Sequence, residues 1–400
     1  MEPILTGLRV VEAATFVAAP AAGTMLGDFG ADVVHVEAPG SGDPYRALYQ
    51  LHPLPSCEEN YPWLLDGRNK RSVALNLKHA DGRAALYRLL ADADVFITNY
   101  QPSVLADLGI RHEDVHELNP RLIYAHVTGY GERGPEVERP GYDATAWWAR
   151  SGLMDSVRPR DGELALSTPG MGDHPTSVAL FGAIMLALYR RTLSGRGGKV
   201  STSLMANGLW SNGVLVQAAL CEAREMQPWV RAETPNALLC VYRTRDARHF
   251  SLILVKESSE WPQFCAAIER PALAEDPRFA DVATRRANAP ALMTLLDEVF
   301  ATRTLDEWCA VFDRHRITFG VVRRGADLPR DAQARANGLF RPLVDRPTRE
   351  VVDSPIFVEG ETKVAPRSAP ELGAHTREVL VGAGYSAEEI AALFACGAAA

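Results

Sequence analysis

The first 130 residues alternate short β-branched, apolar runs with helical patterns. The runs predict strands at residues 8–12, 32–37, 72–77, 95–98 and 122–127, and the most regular helical spacing between them covers residues 81–92. Strands that alternate with helices indicate βαβ units and a parallel sheet, so the predicted fold class is α/β. Ligands of such sheets bind beyond the carboxyl ends of the strands, and the loops that follow them are therefore the informative ones.

The rest of the chain predicts a long helix and then a smaller domain. An apolar helix is expected at residues 176–191, ended by a basic, glycine-rich stretch at 190–198. Composition changes near Cys221, and residues 221–330 predict a small α+β domain with a strand at 249–255 and helices near 261–268, 291–302 and 305–315. Residues 331–400, irregular at first and helical near 387–394, form a last segment, which leaves residues 1–220 as the large domain.

Composition and charge exclude several classes of protein. Hydrophobic residues make up 47% of the chain and charged residues 23%, which suits a folded protein with a buried core. A net charge of −8 and the lack of a Lys/Arg-rich run argue against a nucleic-acid partner. No signal peptide and no membrane-spanning stretch is recognisable, so we expect a cytoplasmic protein without a membrane partner. The six cysteines are widely spaced without a CxxC, which predicts free thiols.

The usual signatures of metal and nucleotide chemistry are missing. The ten histidines show no HExxH-type spacing, and the chain has neither a P-loop lysine motif nor Gly-x-Ser-x-Gly. Each histidine is therefore expected to be structural or solvated, and no metal site is predicted. The first βα turn, residues 16–23, lacks Gly-x-Gly-x-x-Gly, which weakens the alternative of a nicotinamide dehydrogenase. Its small residues fit either a tight packing turn or a phosphate site at a helix N-terminus.

Asp173 stands directly before the apolar helix, next to Gly170 and Gly172. One interpretation is structural, because Asp is a favoured N-cap residue and Pro175 a favoured early helical residue. The other is chemical, because a carboxylate held by backbone amides at a helix N-terminus stays ionised at neutral pH and can act as a nucleophile. The residues alone leave both open.

Several motifs, in order along nearly the whole chain, resemble the family III CoA-transferases. This is the CaiB/BaiF family, which includes relatives of formyl-CoA transferase, the carnitine CoA-transferases and α-methylacyl-CoA racemase. The matching stretches are residues 7–12, 18–20, 26–40, 68–72, 93–100, 118–124, 172–173, 194–200 and 373–376.

The resemblance implies an architecture and a set of partners. Family members have a large Rossmann-like domain and a smaller domain, with a C-terminal segment that returns to the large one, and two chains interlock as rings in a homodimer. The implied substrates are an acyl-CoA donor and a carboxylic acid acceptor. Coenzyme A is then a substrate, and no permanently bound cofactor is expected.

The resemblance also implies site residues. The family's catalytic aspartate corresponds to Asp173, which would form a mixed anhydride with the acyl group and then an aspartyl-CoA thioester. By position in the family, the residues expected to bind CoA are Val17, Ala18, Lys70, Arg71, Asn99 and Tyr100. Tyr142 and Gly172 are expected at the substrate pocket, and Trp147 and Trp148 are either pocket walls or core residues.

Two departures from formyl-CoA transferase matter. Ala38 and Asp107 stand where that enzyme has arginines, so its contacts with the CoA phosphates cannot be transferred, and Arg46, Lys70 or Arg71 are possible replacements. Its glycine-rich gating loop has no counterpart near residues 235–238. An oxalate substrate is therefore not expected, and a small or medium organic acid, including a dicarboxylate, is the hypothesis.

Two alternatives remain. A 2-methylacyl-CoA racemase needs a base on each face of the α-carbon, and the racemase of this family supplies a histidine from a Gly-His-Asp motif. Here that motif reads Gly141-Tyr142-Asp143, and a tyrosine with a reference pKa of about 10 is a poor resting base. A CoA-binding protein without catalytic activity is the other alternative, and it would bind thioesters without turnover.

Overall fold

The computed structural model describes residues 2–400. The chain divides into two compact units, which we describe separately. The larger unit runs from the N-terminus to Val157 and also includes Ala165–Arg224 and Gln333–Ala400, whereas the smaller unit comprises Arg158–Leu164 and Glu225–Ala332. The predicted domain boundaries at residues 220 and 330 lie close to these transitions.

The larger unit is built on a six-stranded parallel sheet with the strand order β3-β2-β1-β4-β5-β6. The order reverses between β1 and β4, and sheets of this order bind ligands at that point, beyond the carboxyl ends of the strands. The first five strands were predicted from the sequence, and the sixth was not. The strands are β1 (Arg9–Ala13), β2 (Asp32–Glu37), β3 (Arg71–Ala74), β4 (Val95–Thr98), β5 (Ile123–Thr128) and β6 (Gly198–Ser203).

Helices cover both faces of this sheet. Side chains that alternate along β1 enter separate cores, with Val10 packing beside Leu26 and Leu180, and Val11 packing beside Leu86. A short π-helical segment also occurs, at Asp143–Ala149. The helices up to the middle of the chain are α1 (Pro20–Asp28), α2 (Tyr61–Asp66), α3 (Ala80–Ala91), α4 (Pro102–Leu108), α5 (His112–Val115), α6 (Leu153–Ser156), α7 (Asp173–Ser194), α8 (Leu204–Ser211) and α9 (Gly213–Leu220).

The long apolar helix α7 ends where the sequence predicts it. Gly195 adopts a left-handed conformation with φ of 72° just past the last turn, which contains Arg191. Its start differs from the prediction, because the N-cap residue is Gly172 and Asp173 is the first helical residue. The side chain of Asp173 is therefore not an N-cap, and the structural interpretation of this residue was wrong.

The smaller unit has an antiparallel sheet and its own aromatic core, in keeping with the predicted α+β character. Tyr242, Phe250, Phe300 and Phe312 pack there with ring centroids 4.8–6.0 Å apart. Its strands, in the order β7-β8-β9, are β7 (Leu239–Arg243), β8 (His249–Ile253) and β9 (Phe319–Val321). Its helices are α10 (Glu257–Ala267), α11 (Val282–Ala287), α12 (Ala289–Phe300) and α13 (Leu305–His315).

The last segment of the chain packs against the parallel sheet. The amide of Asn76 donates to the carbonyl of Ala398, and the amide of Ala400 donates to the carbonyl of Ala74. Leu380 and Leu393 are buried in the same core as Val11. The elements here are α14 (Ala332–Ala336), β10 (Phe340–Pro342), β11 (Glu350–Val352), α15 (Thr376–Gly382) and α16 (Ala387–Ala395).

Candidate active site

A cleft of about 790 Å³ opens at the carboxyl ends of β1, β4 and β5. Its walls come from the loops after these strands, from the π-helical segment and from the start of α7. The polar side chains that line it include Asn99, Asp143, Asp173 and His174. Much of the remaining lining is aliphatic, from Leu48, Leu51, Leu54, Val104 and Val137. The cleft therefore combines a small reactive region with a large apolar surface.

Asp173 is the half-buried carboxylate at the start of α7. Within residues 2–400, no group donates a hydrogen bond to its carboxylate oxygens. Gly172, which precedes it, packs so closely on Trp147 that an added Cβ would come within 2.5 Å of the indole ring. A glycine is thus needed here for the chain to pass over Trp147 and present Asp173 to the cleft.

The protonation of Asp173 differs from the expectation. Burial raises the pKa of this carboxyl to about 7, with the negative charge of Asp143 adding to the effect and the positive charge of His174 opposing it. The prediction that backbone amides keep this carboxyl ionised at neutral pH was therefore wrong, because a pKa of about 7 leaves part of it protonated there. A carboxylate that is poorly solvated and unpaired near neutral pH is more nucleophilic than a hydrogen-bonded one.

Two acidic side chains near Asp173 were not singled out in the sequence. Asp143, the first residue of the π-helical segment, is buried, and its Oδ2 accepts a hydrogen bond from the amide of Gly172 at 3.4 Å. Asp66, the last residue of α2, is buried and accepts a hydrogen bond from the Tyr45 hydroxyl at 2.6 Å. The only signal for Asp143 was its position after Gly141-Tyr142, and nothing local marked Asp66.

His174, expected to be structural or solvated, lines the cleft directly after Asp173. Its Nε2 lies 3.2 Å from Asp66 Oδ1, and its Nδ1 lies 3.0 Å from the carbonyl oxygen of Gly170. Burial lowers the pKa of this imidazole, but the hydrogen bond and charge of Asp66 outweigh it and leave the pKa raised.

The predicted CoA-binding loop after β1 does line the cleft at Val17 and Ala18. Asn99 holds the preceding Thr15 through two hydrogen bonds, accepting from its amide at 3.0 Å and donating to its carbonyl at 2.7 Å. Phe16 has a φ of 62°, rare for a residue with a side chain, and its amide donates to Asp43 Oδ1 at 3.0 Å. These contacts fix the backbone of the loop at the cleft.

Asn99 and Tyr100, which follow β4, also line the cleft, as does Tyr142. Tyr142 is 55% exposed and packs edge-on against Phe16 with ring centroids 5.7 Å apart. Trp147 and Trp148 are buried and stacked on each other at 5.9 Å, in the core beneath the cleft.

Lys70 and Arg71 are not among the residues that line the cleft. The Lys70 ammonium is buried and donates to Glu12 Oε1 at 2.6 Å and to the carbonyl of Pro20 at 2.7 Å. Arg71 pairs with Asp32 at the start of β2 and with Glu378. Arg46, another suggested contact for the CoA phosphates, pairs with Glu37 at 2.7 Å. The structure thus does not bring these cations together with Asp173.

An arginine that does line the cleft is Arg139, which the sequence did not single out. Its guanidinium pairs with Glu136 and lies 5.8 Å from the centroid of the Tyr130 ring. Within residues 2–400, the one cluster of three potential metal ligands is His79, Asp81 and Cys396, none of which lines the cleft.

A comparison with protein families identifies the family of the chain that forms this cleft. The model of CoA-transferase family III matches residues 5–376. The chain belongs to CoA-transferase family III. The resemblance found in the sequence is thereby confirmed, and so is the prediction that the protein is an enzyme of this family, which uses CoA thioesters as substrates.

Curated relatives support this assignment over almost the full length of the transferase. It is 32% identical over 390 residues to the (R)-2-hydroxy-4-methylpentanoate CoA-transferase of Clostridioides difficile, with 97% of each chain covered. It is 33% identical over 394 residues to the cinnamoyl-CoA:phenyllactate CoA-transferase of Clostridium sporogenes, covering 97% of this chain and 95% of that one.

Solved structures show the same fold. A CaiB/BaiF family protein from Brucella suis matches with a TM-score of 0.85 and 27% identity, and the match covers 96% of the transferase and 100% of the other chain. A protein from Mycobacterium tuberculosis matches with a TM-score of 0.80 and 26% identity, covering 94% and 98%. Among residues 2–400, no helix has both the length and the apolar character needed to cross a bilayer.

Proposed function

We propose that the transferase moves CoA between carboxylic acids through a covalent thioester on Asp173. The observation that carries the proposal is the environment of Asp173, which lines a cleft of about 790 Å³. No group in the described part of the chain donates a hydrogen bond to its carboxylate, and its pKa is raised to about 7. A nucleophilic carboxylate must be reachable and weakly solvated, and it must be ionised for part of the time near neutral pH.

Four balanced steps follow from this assignment. The Asp173 carboxylate attacks the thioester carbonyl of the donor, the C–S bond breaks, and a mixed anhydride and the CoA thiolate form. The thiolate attacks the aspartyl carbonyl, which releases the donor acid as a carboxylate and leaves the aspartyl-CoA thioester. The acceptor carboxylate attacks that thioester and expels the thiolate. The thiolate then attacks the acyl carbonyl of the new anhydride, which frees Asp173 and the new acyl-CoA.

The reaction exchanges one thioester for another, so it requires no external energy source. The negative charge moves between Asp173, the CoA sulfur and the released carboxylate. Its movement takes place at the start of α7, where the helix dipole favours negative charge.

CoA binding is proposed for the loops after β1 and β4. Val17, Ala18, Asn99 and Tyr100 line the cleft there, and the sheet order is that of doubly wound sheets that bind dinucleotides at this point. This supports a Rossmann-like catalytic domain within residues 1–220. The predicted CoA contacts of Lys70 and Arg71 stay predictions, and the ion pairs of both side chains argue for a structural role instead.

The acceptor is proposed to be a small or medium organic acid. The names of the relatives include 2-hydroxy-4-methylpentanoate, phenyllactate and, for a mouse relative that is 31% identical over 383 residues, glutarate. These span apolar monocarboxylates and a dicarboxylate, and the dicarboxylate hypothesis stays a prediction. Succinyl-, acetyl- and propionyl-CoA assayed against both classes of acid will decide between them, and turnover of monocarboxylates alone would reject the dicarboxylate.

A homodimer is proposed from the surface of the larger unit. Helices α7 to α9 carry large apolar side chains with high exposure, including Leu186 at 73%, Trp210 at 87% and Val214 at 85%. Large apolar side chains this exposed on consecutive helices are typical of a surface that contacts another protein. Sedimentation equilibrium should give twice the chain mass, and Trp210→Asp should shift the protein toward monomer; a monomeric parent chain would reject the proposal.

The covalent route is tested by trapping. The transferase incubated with an acyl-CoA and hydroxylamine should carry a hydroxamate on the peptide with Asp173, seen by mass spectrometry. Asp173→Ala is the negative control, and Glu58→Gln, which removes an exposed carboxylate, should trap as the parent does. A turning-over enzyme that never yields the hydroxamate would contradict the aspartyl thioester.

The same protein distinguishes a transferase from a racemase. A racemase exchanges the α-proton of a 2-methylacyl-CoA with solvent without an acceptor acid. In D2O we expect no deuterium at the α-carbon until an acceptor is added, because Tyr142 occupies the position of the racemase histidine. Rapid exchange without an acceptor would favour the racemase.

A further inference from the structure

Both ring nitrogens of His174 lie within hydrogen-bond distance of an oxygen atom. Its Nδ1 lies 3.0 Å from the carbonyl oxygen of Gly170, and its Nε2 lies 3.2 Å from a carboxylate oxygen of Asp66. A carbonyl oxygen has no proton to give, so Nδ1 must donate. If Asp66 is ionised, Nε2 must donate as well, and the ring is then an imidazolium.

Both carboxylate oxygens of Asp66 have a partner in this set of side chains. Asp66 is buried, with 3% of its surface exposed, and its Oδ2 accepts a hydrogen bond from the Tyr45 hydroxyl at 2.6 Å. Tyr45 remains a neutral donor, because burial and the nearby charge of Asp66 raise the pKa of its phenol well above the usual value. Asp66 Oδ2 therefore accepts from a hydroxyl, and Asp66 Oδ1 faces the imidazole.

The charge of His174 faces an otherwise acidic neighbourhood. The groups that act on Asp173 are Asp143 from the π-helical segment, Asp66 from the end of α2, and His174 from its own helix. The two aspartates oppose ionisation of Asp173, and His174 favours it. Tyr45, from the 3₁₀ segment Pro44–Gln50, completes the set on the side of Asp66.

We propose that His174, fixed as an imidazolium by Asp66 and the Gly170 carbonyl, is the counter-charge that keeps the Asp173 carboxylate ionised and ready to attack. The proposal rests on the proposed function, because it assigns His174 a role toward the nucleophile. His174 acts through Asp173 and is thus a positioning residue rather than a catalytic one. Asp66 and Tyr45 are its support, since they orient the ring and preserve its charge.

The first test is the pH dependence of kcat/KM in a pair of variants. In His174→Gln the positive charge is lost, so the acid limb of kcat/KM should move to higher pH. Below the limb kcat/KM should fall about tenfold, because a change of one pKa unit corresponds to a tenfold change in the ionised fraction of Asp173. At alkaline pH kcat/KM should recover. His174→Lys keeps a positive charge and should restore much of the limb. An equal loss at every pH, with no rescue by lysine, would overturn the proposal.

Two further variants make the effect specific. Asp66→Asn leaves the imidazole beside a neutral amide but also removes a negative charge that opposes ionisation of Asp173, so it should shift the limb to higher pH by less than His174→Gln does. His79→Asn changes a histidine outside the cleft, whose Nδ1 accepts from the amide of Asp81 as a helix N-cap, a role that asparagine also fills. Its pH profile should match that of the parent, and a shift there would show that the readout is not specific to the cleft.

The second test does not depend on turnover. In protein labelled with 15N-histidine, the His174 signals, assigned by their loss in His174→Gln, should show protons on both ring nitrogens at neutral pH. A neutral ring would reject the proposal even if Asp173 proves to be the nucleophile. If instead the hydroxamate never forms on Asp173 while His174 is an imidazolium, the proposed function fails and the charge state of His174 stands.

Discussion

Two carboxylates of the larger unit, Glu12 and Asp173, have opposite environments, and their pKa values shift in opposite directions. Glu12 is fully buried at the end of β1, but its Oε1 lies 2.6 Å from the Lys70 ammonium and 2.8 Å from His35 Nδ1. Burial alone would raise its pKa, and Lys70 and His35 reverse the effect and lower it. Asp173 is half-buried without such partners, and its pKa is raised to about 7.

The comparison shows how one sheet separates stability from reactivity. A buried carboxylate with hydrogen-bond donors and an ion pair is inert and stabilises the fold, whereas one without a hydrogen-bond donor at a cleft is costly to keep ionised and stays chemically available.

The largest expected effect is that of Asp173→Asn on activity. Removal of the nucleophile should lower kcat by roughly a thousandfold or more. The same change should raise the free energy of unfolding at pH 8 by about 1 kcal/mol, because a carboxyl whose pKa is raised on folding destabilises the folded state once it ionises. Activity assays and urea unfolding check both. A stable but fully active variant would remove Asp173 from the mechanism, and a loss of stability would contradict the contrast with Glu12.

Glu12→Gln should do the opposite and lower stability strongly. Breaking a buried ion pair from one side leaves Lys70 and His35 without their partner and costs about 3–5 kcal/mol. Urea unfolding measures the change, with Glu58→Gln as the matched control for an exposed carboxylate. A loss within experimental error of the control would mean that Glu12 is not compensated in the way the distances imply.

A third prediction concerns the stability of the parent chain in alkali. Burial lowers the pKa of His35, but the interactions of its imidazole with Asp43 and Glu12 outweigh burial and raise the pKa from 6.5 to about 9. The stabilisation from a raised histidine pKa is complete below about pH 6.5 and lost as pH rises through 9, a decrease of about 3 kcal/mol. Urea unfolding from pH 6 to pH 10 should show the decrease, and His35→Gln, less stable at pH 6, should show a flatter curve. Parallel curves would argue against a protonated His35.

The smallest expected effect is that of Asp143→Asn on the acid limb of kcat/KM. Removing the negative charge next to Asp173 should lower the apparent pKa of the nucleophile by about one unit, so the limb moves to lower pH. The direction is opposite to that expected for His174→Gln. Steady-state rates across the pH range check it, and a limb that stays in place would mean that Asp143 does not control the ionisation of Asp173.

Sequence patterns predicted the interior of the larger unit well and its edges poorly. The buried strands β1, β2, β4 and β5 are apolar runs and were found within one residue at each end. The edge strand β6 was missed, because only one of its faces is partly covered and Gly198, Lys199 and Ser201 give it no apolar run. It is a strand because β5 offers it a partner across six paired residues.

The candidate site divides in a similar way. Asp173 was a candidate from its place before a long apolar helix, and Val17, Ala18, Asn99 and Tyr100 follow strands whose carboxyl ends were predictable. Asp66, His174 and Tyr45 form one hydrogen-bonded set only after folding, since 108 residues separate Asp66 from His174. Lys70 looked like a ligand-binding cation, and its partner Glu12, 58 residues away, could not be read from spacing.

The sequence by itself determined the parallel α/β architecture, the presence of the long apolar helix α7, and the family to which the chain belongs, because these depend on periodic apolar runs and on ordered local motifs. Only the tertiary structure decided which charges are neutralised. It paired Lys70 with Glu12 and left Asp173 without a donor, and the ionisation of a carboxyl group depends on the distances to its neighbours and to water, which the order of residues along the chain does not contain.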